Sequence, residues 1–170
     1  MLKLDLGCGA RKQEGFTGVD ISAECGADFV HDLRVYPWPW EDESVEEVHC
    51  SHFFEHLSGS ERIPFMNELH RVMKKGAKAV FITPDCDSHR AIQDPTHAWP
   101  PVCAESYLYF NKQWMTDNKL EHYGIKCDFD FGFGYSMDPD LQVRNSEHQQ
   151  YALKHLRNHS SDLHVTLTRR

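Results

Sequence analysis

Leu2-Lys3-Leu4-Asp5-Leu6-Gly7-Cys8-Gly9 reads as an apolar strand running straight into a two-glycine turn, and Gly18-Val19-Asp20 follows as a second short apolar run ending in a carboxylate. Glycine at the end of a strand lets a ligand come close to the backbone, because no Cβ stands in the way. An acid at the tip of the next strand can accept both hydroxyls of a ribose, as in nucleotide-binding α/β folds. The two runs together point to a parallel sheet with a ligand at its carboxyl edge.

Outward from that stretch, the first ninety residues alternate short β-like runs with connections, the pattern of a parallel α/β sheet. Strands are expected at 2–6, 16–20, 27–30, 46–51 and 77–82. One helix precedes the last of these. Ser58 or Ser60 can cap it, and Ser58-Gly59-Ser60-Glu61 has capping-box spacing. Phe65, Met66, Leu69, Val72 and Met73 recur at helical spacing, Lys74 and Lys75 suit the negative end, and Gly76 stops the run. Pro64 places the start of regular helix near itself. Only Ala10 to Gly15 separate the first two strands, too few for a helical crossover, so one face of the sheet should be thinly covered near its start. The consequence is either a ligand site without a lid or a surface that a second subunit covers, in a homodimer.

Beyond residue 90, Glu105 to Met115 reads as a short helix, and Ile125 to Tyr135 alternates, with Phe129, Phe131, Phe133 and Tyr135 separated by Asp, Gly and Gly. A helix is expected near 147–158, and Leu163 to Thr168 alternates again, so two closing strands form an antiparallel pair. The expectation is a single domain over residues 1–170.

The chain has 170 residues, 40% of them hydrophobic, which suits a folded core. No apolar run is long enough for a membrane span, and Met1-Leu2-Lys3 enters the first strand with no leader. A cytoplasmic protein is expected, and its six cysteines, free of any C-x-x-C pair, read as reduced thiols packed as small hydrophobes. The formal net charge of −8 disfavours nucleic acid as a partner.

The dinucleotide fingerprint would need glycine where Lys12 stands. What remains is D-x-G-x-G with an acid after the second strand, and further blocks follow in order. These are Val30-His31-Asp32-Leu33, Val45 to Ser51, His52-Phe53-Phe54-Glu55-His56-Leu57, Glu68 to Gly76 and Phe81 to Asp85. In that order they resemble the class I S-adenosylmethionine-dependent methyltransferases. Glu68 to Gly76 is similar to that family's E-L-x-R-V-L-K-P-G-G block, with Lys75 for Pro and Ala77 for Gly. Gln93-Asp94-Pro95-Thr96-His97, with Glu105-Ser106-Tyr107 to Phe110 after it, resembles a D-P-T-H segment of small bacterial and phage-borne members.

The resemblance implies a Rossmann-like, doubly wound and mostly parallel seven-stranded sheet of order 3-2-1-4-5-7-6, with strand seven antiparallel and the early helices abbreviated. It implies S-adenosylmethionine as cofactor. Gly7 and Gly9 would bring backbone against it, and Asp5 would sit under the turn near the methionine ammonium. Asp20, with Ile21 beside it, would hold the ribose; Asp32 would take the adenine amino group and Leu33 would lend backbone. Ser51 and His52 would lie beside the methionine part. Arg11 or Lys12 could balance its carboxylate. Asp94 and His97 would lie over the site of methyl transfer, where His97, and after it His56, are candidate general bases.

Other readings stay open. His52-x-x-Glu55-His56 has the inverted zinc-protease spacing, which requires a regular helix through those residues; no metal is expected otherwise. The remaining histidines, His31, His49, His70, His122, His148, His155, His159 and His164, read as solvated, with His155 and His159 one turn apart on the late helix. Trp99, Tyr107, Tyr109, Phe110 and Trp114 could be core or a substrate pocket. The acceptor is not legible. Ser51 to Phe54 stand where DNA N6-adenine enzymes carry D/N-P-P-Y, and no Pro-Cys nucleophile occurs there, which leaves a small molecule, a sugar or nucleotide-linked compound, or a protein side chain. A fold that binds cofactor or partner without methylating is the alternative.

Overall fold

The computed structural model describes residues 1–170. Its seven strands are β1 (Leu2–Leu6), β2 (Thr17–Asp20), β3 (Phe29–Val30), β4 (Val45–Ser51), β5 (Met73–Pro84), β6 (Phe129–Met137) and β7 (Ser160–Arg169). They form one sheet of order β3-β2-β1-β4-β5-β7-β6. Every pairing from β3 to β5 is parallel, and β7 runs antiparallel to both β5 and β6. The expected order and the antiparallel seventh strand are both present.

The helices are α1 (Gly59–Val72), α2 (Arg90–Gln93), α3 (Lys112–Asp117), α4 (Pro139–Gln142) and α5 (Ser146–His155). Single 3-10 turns occur at Ala23–Cys25, Phe54–His56 and Glu121–Tyr123, and a longer one at Ala104–Phe110. The helix read over Glu105 to Met115 is thus this last turn followed by α3.

Register divides the sheet into two unlike faces. Leu4, Val48, Ala79, Leu167 and Phe131 form one row across β1, β4, β5, β7 and β6, and α1 packs its Phe65, Met66 and Leu69 on that side in one continuous core. The opposite row holds Glu47, Lys78, Thr168 and Asp130, with Lys3 beside Glu47 on β1 and Val80, Thr166 and Gly132 next along. Lys78, Thr166, Gly132 and Asp130 are exposed. The connections from β1 to β2 and from β2 to β3 hold nothing longer than the Ala23–Cys25 turn. The thin cover expected at the start of the sheet therefore extends across it.

Three boundaries differ from expectation. The helix α1 begins at Gly59, not near Pro64, because the Ser58–Glu61 box secures its first turn: Ser58 N–H donates to Glu61 Oε2 at 2.8 Å. Pro64 is tolerated one turn in at the loss of one backbone bond. The helix also stops at Val72, so Met73 to Gly76 belong to β5. Lys74 reaches across to Glu46 at 2.5 Å, and Gly76, at φ +79°, lets the strand bulge between the Val45–Met73 and Glu47–Lys78 pairs. The late helix ends at His155, which leaves His159 outside it.

No helix is long and apolar enough to cross a membrane.

Candidate functional site

Three adjoining depressions run along the carboxyl edge of β1, β2, β4 and β5. The first is lined by Gly7, Asp20, Ile21, Asp32, Leu33 and Phe53. The second is lined by Asp5, Gly7, Gly9, His49, Ser51 and His52. The third is lined by His52, Glu55, His56, Arg90, Asp94 and His97. Gly7 borders the first two, His52 the last two, and His56 the first and third. Of the cofactor-site and catalytic residues selected from the sequence, all but Lys12 lie in one of the three.

The turn after β1 is built from backbone. Gly7 and Cys8 N–H both donate to Val19 O, at 2.8 and 3.1 Å, tying the turn to β2. Gly7 and Gly9 have φ of +67° and +50°, where a side chain would be strained. Asp20 holds the other end: its Oδ2 accepts Gly9 N–H at 2.9 Å and its Oδ1 accepts Ser22 N–H at 2.9 Å. One lone pair on each oxygen is left for a ligand.

Under the turn, Asp5 is 2% exposed. It accepts Gln13 N–H at 2.7 Å on one oxygen and meets His49 Nδ1 at 2.7 Å on the other. His49, read from the sequence as solvated, is half-buried and edge-on to Phe16. Its signal was its place two residues before Ser51 on the same face of β4. Asp32 is gripped by Arg34, whose Nε and Nη2 donate at 2.9 and 3.0 Å, and this holds its carboxyl below the usual range. Leu33 accepts the Trp38 indole N–H at 3.0 Å, so Trp38 braces this wall from within the core. Lys12 is committed to Asp28 at 2.8 Å; Arg11 stays on the rim of the second depression.

The third depression is where the segment after β4 meets the loop after β5. His52 (φ +54°) leaves the strand in a left-handed conformation, and Phe54–His56 is a single 3-10 turn. No helix runs through residues 52–56, so the zinc-protease geometry is not formed. His52 instead turns Nδ1 to Glu55 Oε1 at 3.3 Å, and that carboxylate raises the imidazole above its ordinary pKa. Ala98 N–H donates to Glu55 O at 2.9 Å, and Arg62 Nη1 donates to Pro100 O at 2.8 Å, so the Asp94–Pro100 loop is tied to the segment beneath it. Within the loop Asp94 Oδ1 accepts Thr96 N–H and Oγ1–H, at 2.8 and 2.7 Å, which lowers its pKa. His97 Nε2 stands 3.8 Å from Asp94 Oδ2, and its ring meets that of His56 edge-on at 4.9 Å.

Other readings resolve in the same way. Tyr107 and Phe110 are core; Trp99 is exposed, and Tyr109 packs beside Trp114. His159 is buried against Asp85 at 3.5 Å, and His164 bonds Ser136 at 2.7 Å, so neither is solvated. The cysteines are free, yet not isolated: the Cys86 and Cys103 thiols perturb each other, and Cys103 Sγ also lies 3.3 Å from Ser106 Oγ. Together these neighbours hold the Cys103 thiol below its ordinary range, against its burial.

Residues 4–81 match a family model described as a methyltransferase domain. No curated protein matches the chain significantly. Among solved structures, an S-adenosylmethionine-dependent methyltransferase from Archaeoglobus fulgidus aligns with 98% of this chain and 85% of its own, at 21% identity and a TM-score of 0.68. A methyltransferase from Methanosarcina mazei aligns over 98% and 91%, at 16% identity and 0.58. The plantazolicin methyltransferase BpumL, solved with S-adenosylhomocysteine and a pentazolic desmethylPZN analogue, aligns over 100% and 77%, at 16% identity and a TM-score of 0.58. The fold is theirs.

Proposed function

We propose that the three depressions hold S-adenosylmethionine and its methyl acceptor end to end, a reading supported by the match of residues 4–81 to a methyltransferase-domain model and by the fold shared with S-adenosylmethionine-dependent methyltransferases. The observation that carries this reading is their continuity, with Gly7, His52 and His56 at the junctions. The cofactor supplies a methyl group on a sulfonium, transferred by in-line displacement with the electron pair returning to sulfur.

The chain's own residues bind, orient and accept a proton. Asp20 offers its free lone pairs to the ribose hydroxyls, with Ile21 against the sugar. Asp32 faces the adenine amino group, with Leu33 and Phe53 enclosing the ring. Gly7 and Gly9 allow backbone contact with the methionine part, above Asp5 and beside Ser51 and His52. The acceptor occupies the third depression, where His97, with His56 and Asp94, takes its proton. Rate acceleration comes chiefly from alignment, since the sulfonium is already a good leaving group. The acceptor is a small molecule, a sugar or nucleotide-linked compound, or a protein side chain; the acidic charge disfavours nucleic acid.

Calorimetric titration with S-adenosylhomocysteine tests the reading. Wild type should bind in the micromolar range, and Asp20→Ala should weaken binding more than tenfold, while His97→Ala should bind normally and turn over slowly. Absence of binding in wild type would refute the proposal. Normal turnover by His97→Ala would remove the base assignment alone.

A further inference from the structure

The third depression contains one group that methyl transfer does not account for. Glu55 is 4% exposed, and its Oε2 is buried with no hydrogen-bond partner, while Oε1 meets His52. A buried carboxylate oxygen left unpartnered calls for a cation or a donor. Donor atoms of Glu55, His56 and His97 all lie within 4.8 Å of one another. The two histidines are also prepared in a particular way. His97 Nδ1 lies 3.2 Å from Ala91 O, and His56 Nδ1 lies 3.3 Å from Thr96 O. A carbonyl can only accept, so each Nδ1 carries the hydrogen and each Nε2 keeps its lone pair. Thr96 Oγ1, 3.1 Å from His56 Nδ1, already donates to Asp94 and accepts here as well.

We propose that Glu55, His56 and His97 bind a divalent transition-metal ion, of the zinc type, in the acceptor depression. Two imidazoles and one carboxylate form a donor set suited to such an ion, and an exposed mouth leaves a coordination position open. Donors on a tetrahedral zinc stand about 3.3 Å apart, a small closure from the observed spacing. Asp94 Oδ2, at the rim, adds negative charge 3.8 Å from His97 Nε2.

The site deepens the methyl-transfer reading and rests on it for its consequence. An acceptor hydroxyl at the open position would lose its proton to water more readily, because the cation stabilises the oxyanion. The oxygen lone pair then forms the bond to the methyl carbon as the carbon–sulfur bond breaks towards sulfur. The substrate class is therefore a hydroxyl compound; His97, the proton acceptor when no ion is bound, is a ligand when one is, and the proton then goes to water.

The test is titration of chelator-treated protein with cobalt(II), which reports its ligands by absorption. Wild type should bind one equivalent with visible d–d bands and no thiolate charge-transfer band. Glu55→Gln and His97→Ala should each lose at least tenfold in affinity while still binding S-adenosylhomocysteine, which shows that they are folded. Cys25→Ser should bind cobalt as wild type does, although Cys8, Asp20 and Cys25 form a second group of possible ligands. No cobalt binding, a thiolate band lost in Cys25→Ser, or wild-type affinity in Glu55→Gln and His97→Ala would overturn the site. S-adenosylhomocysteine binding without cobalt binding sinks the metal site alone; cobalt binding without S-adenosylhomocysteine binding sinks the methyl-transfer reading instead.

Discussion

Phe53 lies against Gly7 so closely that a Cβ on the glycine would stand 2.5 Å from the ring. The glycine that admits the ligand is thus also the one that admits Phe53, and the wall and floor of the first depression fix each other. Gly7→Ala therefore suffers twice: a left-handed φ of +67° and overpacking. The expected loss is about 3 kcal/mol, or roughly 6–12 °C in Tm, with no measurable S-adenosylhomocysteine binding. Differential scanning fluorimetry decides it, and an unchanged Tm would show that the turn can open.

Asp5 joins β1, the glycine turn and β4 through Gln13 N–H and His49. Asp5→Ala would leave the Gln13 amide without its acceptor, at a cost of about 2 kcal/mol. Denaturant unfolding should show that loss. His49→Ala, which leaves the amide bond intact, should cost less.

Glu68 on α1 accepts Trp38 N–H at 2.6 Å and both Arg71 Nη2 and Nε, at 2.5 and 3.1 Å. Burial pushes this carboxyl up, but the bonds from Arg71 and Trp38 outweigh it and hold it below the usual range. A lowered folded-state value means that the stabilisation is complete above about pH 4.3, the ordinary Glu value, and is lost as pH falls through the lower one. Arg71→Met should cost about 2 kcal/mol at neutral pH and flatten that acid limb. A parallel pH series of Tm for both proteins is the check; identical limbs would contradict the account.

The neighbouring Cys86 thiol holds the Cys103 thiol below its ordinary range, against its burial. Its alkylation by iodoacetamide, followed by mass spectrometry, should reach half its maximal rate at a pH below about 8.5, the ordinary thiol value. Cys86→Ala should move the midpoint towards that value. A midpoint indifferent to Cys86 would break the assignment.

The strand ends were the readable part of this molecule. Leu2–Gly9 and Thr17–Asp20 declare themselves by short apolar runs ended by Gly or Asp, Val45–Ser51 by its spaced Val45, Val48 and Cys50, and those ends carry the first two depressions. What escaped reading is contact across sequence distance. His49 looks like any polar residue until register sets it opposite Asp5. Cys86 and Cys103 meet only because the loop after β5 folds back. Glu55 was visible as part of a family-like block and of a protease spacing that the backbone does not adopt, but neither showed its buried, unpartnered oxygen. The extension of β5 back to Met73 escaped reading for a local reason: Lys74, Lys75 and Gly76 suit a helix end as well as a bulge.

The row of Glu47, Lys78, Thr168 and Asp130 is set on the bare side of the sheet, turned away from the α1 core, while the three depressions line the carboxyl edge. Chemistry and anchorage are thereby separated in space. A dye, a surface tether or a fused module attached at Lys78 or Thr166 would load the bare side without obstructing the edge, so this chain can be immobilised with its cleft facing outward.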